Sequence, residues 1–238
     1  MKEYLRLTPV HRINCLDLSV THPVVLKNAA GAADLWPGAC AVWAAEAKTL
    51  AALDQIVDPE AFQRCVGLLA GCRGRILTAG VGTSMAAARK IAHSLCCIER
   101  PAAFLSPGDA VHGGLGVVQP EDVVIAISKG GGTREISNLI PAIQTKHATL
   151  IGVTGNPESV LGRASDLCLR VEVEREPDPF NMLATASTLA VIAVFDAVCI
   201  ALMTVTGYTR EQFAVIHPGG AVGERLLDPA REPAGHRP

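Results

Sequence analysis

Between residues 75 and 173 the sequence alternates short, mostly apolar runs with longer stretches of helical periodicity, and this alternation restricts the fold more than any other feature. The runs are RILTA at 75–79, PAAFL at 101–105, DVVIAI at 122–127, TLIGVT at 149–154 and CLRVEV at 168–173. Runs this short with so little inside–outside alternation suit strands covered on both faces. Helical segments fit residues 85–95, 133–144 and the stretch after a turn at 155–157. Strand–helix–strand repetition gives parallel neighbours joined by crossovers. The expected fold class is therefore α/β: an open parallel five-stranded sheet flanked by helices on both faces, a three-layer sandwich of Rossmann-like or flavodoxin-like kind.

Upstream, AVWAAEAKTLAALDQIV at 41–57 reads as an amphipathic helix, and a second helix fits 59–69 with Asp58 as N-cap and Pro59 in its first turn. Residues 1–40 show weak periodicity with several Pro and Gly and read as an N-terminal arm. Residues 41–228 read as one domain, and 229–238, polar and proline-rich, as a frayed tail. The longest apolar stretch, 183–205, is long enough to span a bilayer. It contains Asp196 and several Thr and Ser, and no second candidate accompanies it, so a core helix is expected and no membrane partner. The first residues have no apolar signal-like segment.

Composition removes other classes. Net charge is −2 with a pI near 6.4, so no basic field gathers nucleic acid, and any phosphate site must be local. Aromatics are 4% of residues, too few for a base-stacking surface. The eight cysteines include no C-x-C or C-x-x-C pair, and most lie in apolar runs. They are expected to be reduced, structural thiols, with no metal site and a cytoplasmic setting.

Two strand ends run into glycine-rich turns that open helices: Gly80-Val81-Gly82-Thr83-Ser84 and Ser128-Lys129-Gly130-Gly131-Gly132-Thr133. Glycine lets backbone amides approach an anion, and a helix N-terminus adds free N–H donors. Hydroxyls and one ammonium complete a phosphate nest. The first turn alone is weak, since an ordinary strand-to-helix turn explains it equally well. The second is stronger, because three consecutive glycines weaken a helix start unless something needs close backbone approach. Neither carries the full fingerprint and following acid that a nicotinamide nucleotide needs, so neither supports a nicotinamide enzyme.

These motifs, in this order, resemble the phosphosugar-binding signature of SIS (sugar isomerase) domains. SPGDAVHGGLGVV at 106–118, TGNPES at 154–159 and HPGGAVG at 217–223 are similar to the SIS domain of arabinose-5-phosphate isomerases, without the paired CBS modules of many long relatives. The resemblance spans roughly residues 41–227. It implies an aldose–ketose isomerase of a phosphorylated sugar, with a pentose 5-phosphate first and a hexulose 6-phosphate second. It also implies a homo-oligomer, dimer or tetramer, with sites near subunit interfaces. Carried over by position, Thr83, Ser84, Ser128, Lys129 and Thr133 would hold the phosphate, and His112, Glu135, Glu176 and His217 would form the catalytic set. Moving a proton between C1 and C2 through an enediol needs a base, donors for the developing oxyanion and a group to open a ring form.

Each catalytic candidate also has a purely structural reading. His217 is a loop histidine before Pro-Gly-Gly, and His112 could bond a backbone carbonyl. Glu135 stands in a first helical turn, where a carboxylate is favoured anyway. Glu176 lies in VEVEREPDP, a charged edge where most acids are solvated. The chain departs from the arabinose-5-phosphate isomerase pattern at Thr83, where lysine is usual, and at Gly130-Gly131-Gly132, where Ser-Gly-Glu is usual. Lys129 could supply the missing charge from the other loop. The rival function is a non-catalytic SIS sensor of sugar phosphates.

Overall fold

A computed structural model describes residues 34–218. Most of the expected arm and all of the expected tail lie outside the described residues. Within the arm the first helix already begins at Trp36, five residues before the periodicity becomes clear.

Five strands, β1 (Ile76–Gly80), β2 (Ala102–Phe104), β3 (Val123–Ile127), β4 (Thr149–Thr154) and β5 (Leu167–Arg170), form one parallel sheet in the order β2-β1-β3-β4-β5. β1 lies between β2 and β3 in full register, Ile76 opposite both Ala102 and Val123. The expected strands are all present, within a few residues of their ends. Alternate strand residues feed two cores. Ile76, Val123, Ile125, Ile127 and Val153 face one cluster with helices α3 (Pro59–Ala70), α4 (Thr83–Cys96) and α9 (Ala186–Thr206). Leu77, Ala79, Val124, Ala126 and Leu150 face a second cluster with α5 (Pro107–Ala110), α6 (Arg134–Ser137), α7 (Ile140–Thr145) and α8 (Val160–Ala164). β1, β3 and β4 thus show the two-sided burial implied by the apolar runs, whereas the edge strands differ: Ala103 of β2 and Arg170 of β5 are exposed.

Helix expectations fared unevenly, for local reasons. α3 begins as predicted, with the Asp58 carboxylate accepting from the amides of Glu60 and Ala61. The single helix expected over 133–144 is two pieces. Pro141 has no N–H to give and sits at the start of α7, so the helix restarts there. The amphipathic 41–57 segment becomes α1 (Trp36–Ala51) and the one-turn α2 (Leu53–Ile56), and neither helix buries a residue fully. Trp36 and Trp43 on α1 pack edge to face at 5.4 Å while both remain exposed.

α9 takes up the apolar 183–205 stretch from Ala186 onward and meets the expectation of a core helix on one face only. Ala190, Val194, Phe195, Val198 and Leu202 are buried, whereas Ile200 and Val205 are 64% and 61% exposed. By length and composition α9 could cross a membrane, with 33% of its most apolar window buried. Asp196, the one charge in this stretch, pairs with Lys90 of α4. Cys65 and Cys199 are buried thiols that behave as packing, whereas Cys96 is exposed: burial, with a contribution from Cys199, pushes Cys65 up to about 12, and burial pushes Cys199 up to about 11. α10 (Arg210–Ile216) opens with a capping box at Thr209. Its start is pinned to the C-terminal end of α4, Tyr208 donating to the Cys97 carbonyl at 3.2 Å and Gln212 to Glu99 at 3.0 Å.

Candidate functional site

The strand order turns back between β1 and β3, and ligands of open parallel sheets bind outside the carboxyl ends of the strands at that point. Both glycine-rich turns leave from there. Gly80 ends β1 so close to the first turn of α4 that a Cβ would lie 2.5 Å from the Ser84 carbonyl oxygen. α4 then starts from Gly82 at φ +61° without a side-chain cap, leaving Thr83 exposed and Ser84 half-buried at its head.

The turn after β3 is more highly built. The Ser128 hydroxyl is 2.7 Å from that of Thr133 and accepts from the Gly131 amide at 3.1 Å. Gly131 has φ +70°, and a Cβ there would fall 1.8 Å from the Ser159 hydroxyl and 2.9 Å from that of Thr154. Gly130 and Gly132 are different: nothing lies within 4 Å of a Cβ at either. Among the described residues, their amides also have no hydrogen-bond partner. They face open space.

A cleft between the heads of α4 and α9 is lined by Thr83, Ser84, Lys129, Thr154, Ser187 and Thr188 over an apolar floor that includes Ile127 and Val153. Among the described residues that line it, Lys129 alone is ionisable. The Lys129 ammonium donates to Glu176 Oε1 at 2.6 Å, and Glu176 Oε2 accepts from the amides of Thr185 at 3.0 Å and Ser187 at 3.3 Å. Expected on a solvated edge, Glu176 is instead fully buried, with 0% exposure. Burial alone would raise its pKa. Lys129, the Ser187 hydroxyl and the two amides outweigh that and hold the carboxyl below its ordinary value. The Glu176 amide donates to Asn181 Oδ1 at 2.6 Å, and Asp178 accepts from the amides of Phe180, Met182 and Leu183, so the segment leading into α9 is closely tied.

The fold thus brings together Thr83, Ser84 and Lys129 in the cleft, with Ser128 and Thr133 in the adjoining turn and Glu176 behind Lys129. The other three candidates do not line it. His112 is exposed in the turn after α5, and Glu135 is exposed in the first turn of α6. α5 touches α6, so these two share the opposite side of the sheet from α4 and α9. His217, at the end of α10, stacks on Phe213 at 3.9 Å with Nδ1 2.9 Å from the Phe213 carbonyl. The anchored start of α10 lies at the far end of α4, about 20 Å of helix from Thr83. Thr154, Ser187 and Thr188 were missed by sequence reasoning. The signal for Ser187 and Thr188 was a run of small hydroxyl residues heading the long apolar helix, and that for Thr154 was its place at the end of β4.

The SIS domain family model matches residues 68–201, more than half of the chain. The arabinose 5-phosphate isomerase KdsD of Escherichia coli K12 is 42% identical over 186 residues, covering 78% of this chain and 56% of that protein. The KdsD of Pseudomonas aeruginosa is 44% identical over 171 residues, 72% and 52% of the two chains. The chain therefore spans little more than half the length of these relatives. A putative sugar-phosphate isomerase from Listeria monocytogenes superposes with TM-score 0.78 at 54% identity, covering 79% of this chain and all of that one. An Escherichia coli CFT073 protein, c3406, solved in complex with arabinose 5-phosphate, superposes with TM-score 0.75 at 32% identity and the same coverage. Motifs, sheet order and relatives agree: the chain belongs to the SIS domain family.

Proposed function

We propose that this chain is a cytoplasmic aldose–ketose isomerase of a phosphorylated sugar, with a pentose 5-phosphate such as arabinose 5-phosphate as substrate. The observation that carries the reading is the turn after β3, where the free amides of Gly130 and Gly132 stand beside the Ser128–Thr133 hydroxyl pair and Lys129. The identity to KdsD and the arabinose 5-phosphate complex of a relative support the choice of sugar. The phosphate would be held by Ser128, Thr133, Lys129, Thr83 and Ser84, anchoring the end remote from the reacting carbons. The proton on C2 then leaves to a base and returns to C1 through an enediol, with no cofactor required. His112, Glu135 and His217 are the groups we assign to proton transfer and ring opening. His217 would act in a neighbouring subunit's site, in a homodimer or tetramer that covers the exposed side of α9.

A second reading, a sugar-phosphate sensor without turnover, is favoured by two observations: Lys129, the one ionisable residue lining the cleft among the described residues, is already paired, and Thr83 stands where the resembled isomerases carry lysine. Exchange of the C2 proton with deuterated water, over a panel of pentose and hexose phosphates, separates the two. The isomerase exchanges at least one phosphate ester, and His112→Ala or His217→Ala lowers its turnover by about 10²–10⁴-fold with little change in affinity. Calorimetric binding without exchange gives the sensor.

A further inference from the structure

We propose that Glu176 is a positioning residue, the buried counter-ion of Lys129, and that it keeps the anion site from holding a phosphate ester too tightly. This rests on the reading of the cleft as a phosphate site. Both oxygens of the carboxylate are occupied. Glu176 is fully buried, one oxygen is taken by Lys129 and the other by two backbone amides of the α9 head. A group so enclosed exposes no surface and does not itself line the cleft. It is badly placed to carry a proton to or from a sugar carbon.

Its effect runs through Lys129. The lysine side chain is 51% exposed and lines the cleft, while its partner is 0% exposed behind it. The pair is therefore a dipole with its positive end toward the ligand and its compensating charge only 2.6 Å away. An arriving phosphate dianion meets an oriented donor, yet the local net charge is zero. The remaining contacts offered by the cleft and its turn are uncharged hydroxyls and amides. Strong recognition with modest affinity suits a catalyst that must release a phosphorylated product as readily as it binds the substrate, since binding spread equally over both states does not raise turnover.

The test is a charge cycle on the full chain: wild type, Glu176→Gln, Lys129→Gln and the double variant. Binding of inorganic phosphate and of arabinose 5-phosphate is measured by calorimetry at two salt concentrations. Glutamine keeps an acceptor for the α9 amides and leaves Lys129 uncompensated. Glu176→Gln should then bind both ligands about tenfold more tightly, with a steeper loss of affinity in salt. If the isomerase turns over, its KM and kcat should fall together. Unchanged or weaker binding by a folded Glu176→Gln protein overturns the proposal, as does a fall in kcat with unchanged affinity, which would put the carboxylate at the reacting atoms. Should Glu176→Gln not fold, thermal melts of the other two variants decide. Lys129→Gln strands a buried carboxylate and should melt several degrees below wild type. The double variant should recover most of that loss, and equal melting of the two variants overturns the pairing. Failure of wild type itself to bind either ligand counts against the phosphate site and is a distinct result.

Discussion

The turns that leave β1 and β3 are neighbours on one sheet edge and both are glycine-rich, yet their glycines answer to different demands. Gly80 is required by the fold, since the Ser84 carbonyl occupies the space a side chain would need. Gly131 is required too, by its positive φ and by Ser159 and Thr154 packed against it. Gly130 and Gly132 have no such reason: their φ is ordinary and the space beside them is open. A glycine the fold does not need, with its amide unpaired, points to something outside the chain that approaches the backbone. The comparison separates glycines that shape the site from glycines that receive a ligand.

The largest effect should come from Gly131→Ala. The Cβ collides with the buried Ser159 hydroxyl that caps α8, and the backbone is held where L-residues are strained. We expect a loss of about 3 kcal/mol in unfolding free energy by urea titration. A loss below about 1 kcal/mol would break the first half of the comparison, because Ser159 and Thr154 would then be yielding freely.

Gly130→Ala and Gly132→Ala should do the reverse. Each should leave stability within about 1 kcal/mol of wild type, for no atom is displaced. Each should weaken phosphate-ester binding about tenfold, because the new methyl stands where the anion meets the amides. Normal affinity in both variants would show that these amides face solvent only. A stability loss matching that of Gly131→Ala would erase the distinction between the glycines.

Sequence pattern carried the sheet well and the site in part. The strands were legible because two-sided burial of β1, β3 and β4 removes polar residues from short runs, and the ligand edge followed from the glycine-rich turns after β1 and β3. The break before Pro141 was legible in principle but was outweighed by continuous helical periodicity. Glu176 was misread in its surroundings. Its neighbours Glu172, Glu174 and Arg175 are not buried with it, and nothing local reveals that this acid turns inward to meet Lys129, 47 positions away. Ser187 and Thr188 were hidden for a related reason, since their value depends on where the head of α9 lands after a long excursion from β5. His112, Glu135 and His217 came from motif resemblance alone, and tertiary packing sets them apart from the cleft.

The smallest effect concerns acid. The first turn, residues 80–84, has no ionisable side chain, whereas the second carries Lys129 and, through it, Glu176. Burial pulls the pKa of that carboxyl upward. Lys129, the Ser187 hydroxyl and the amides of Thr185 and Ser187 all face it, and together they hold its folded pKa below the ordinary 4.5. A depressed carboxylate takes up its proton more readily in the unfolded chain. Its stabilising contribution is therefore complete above the ordinary value and fades as pH falls through the folded one. Glu176→Gln cannot titrate there. Wild type should thus melt a few degrees above Glu176→Gln at about pH 7, with the gap closing below about pH 4.5. Parallel melting curves across that range would mean that the Lys129–Glu176 contact adds nothing that depends on charge, and the two turns would then differ in glycine packing alone.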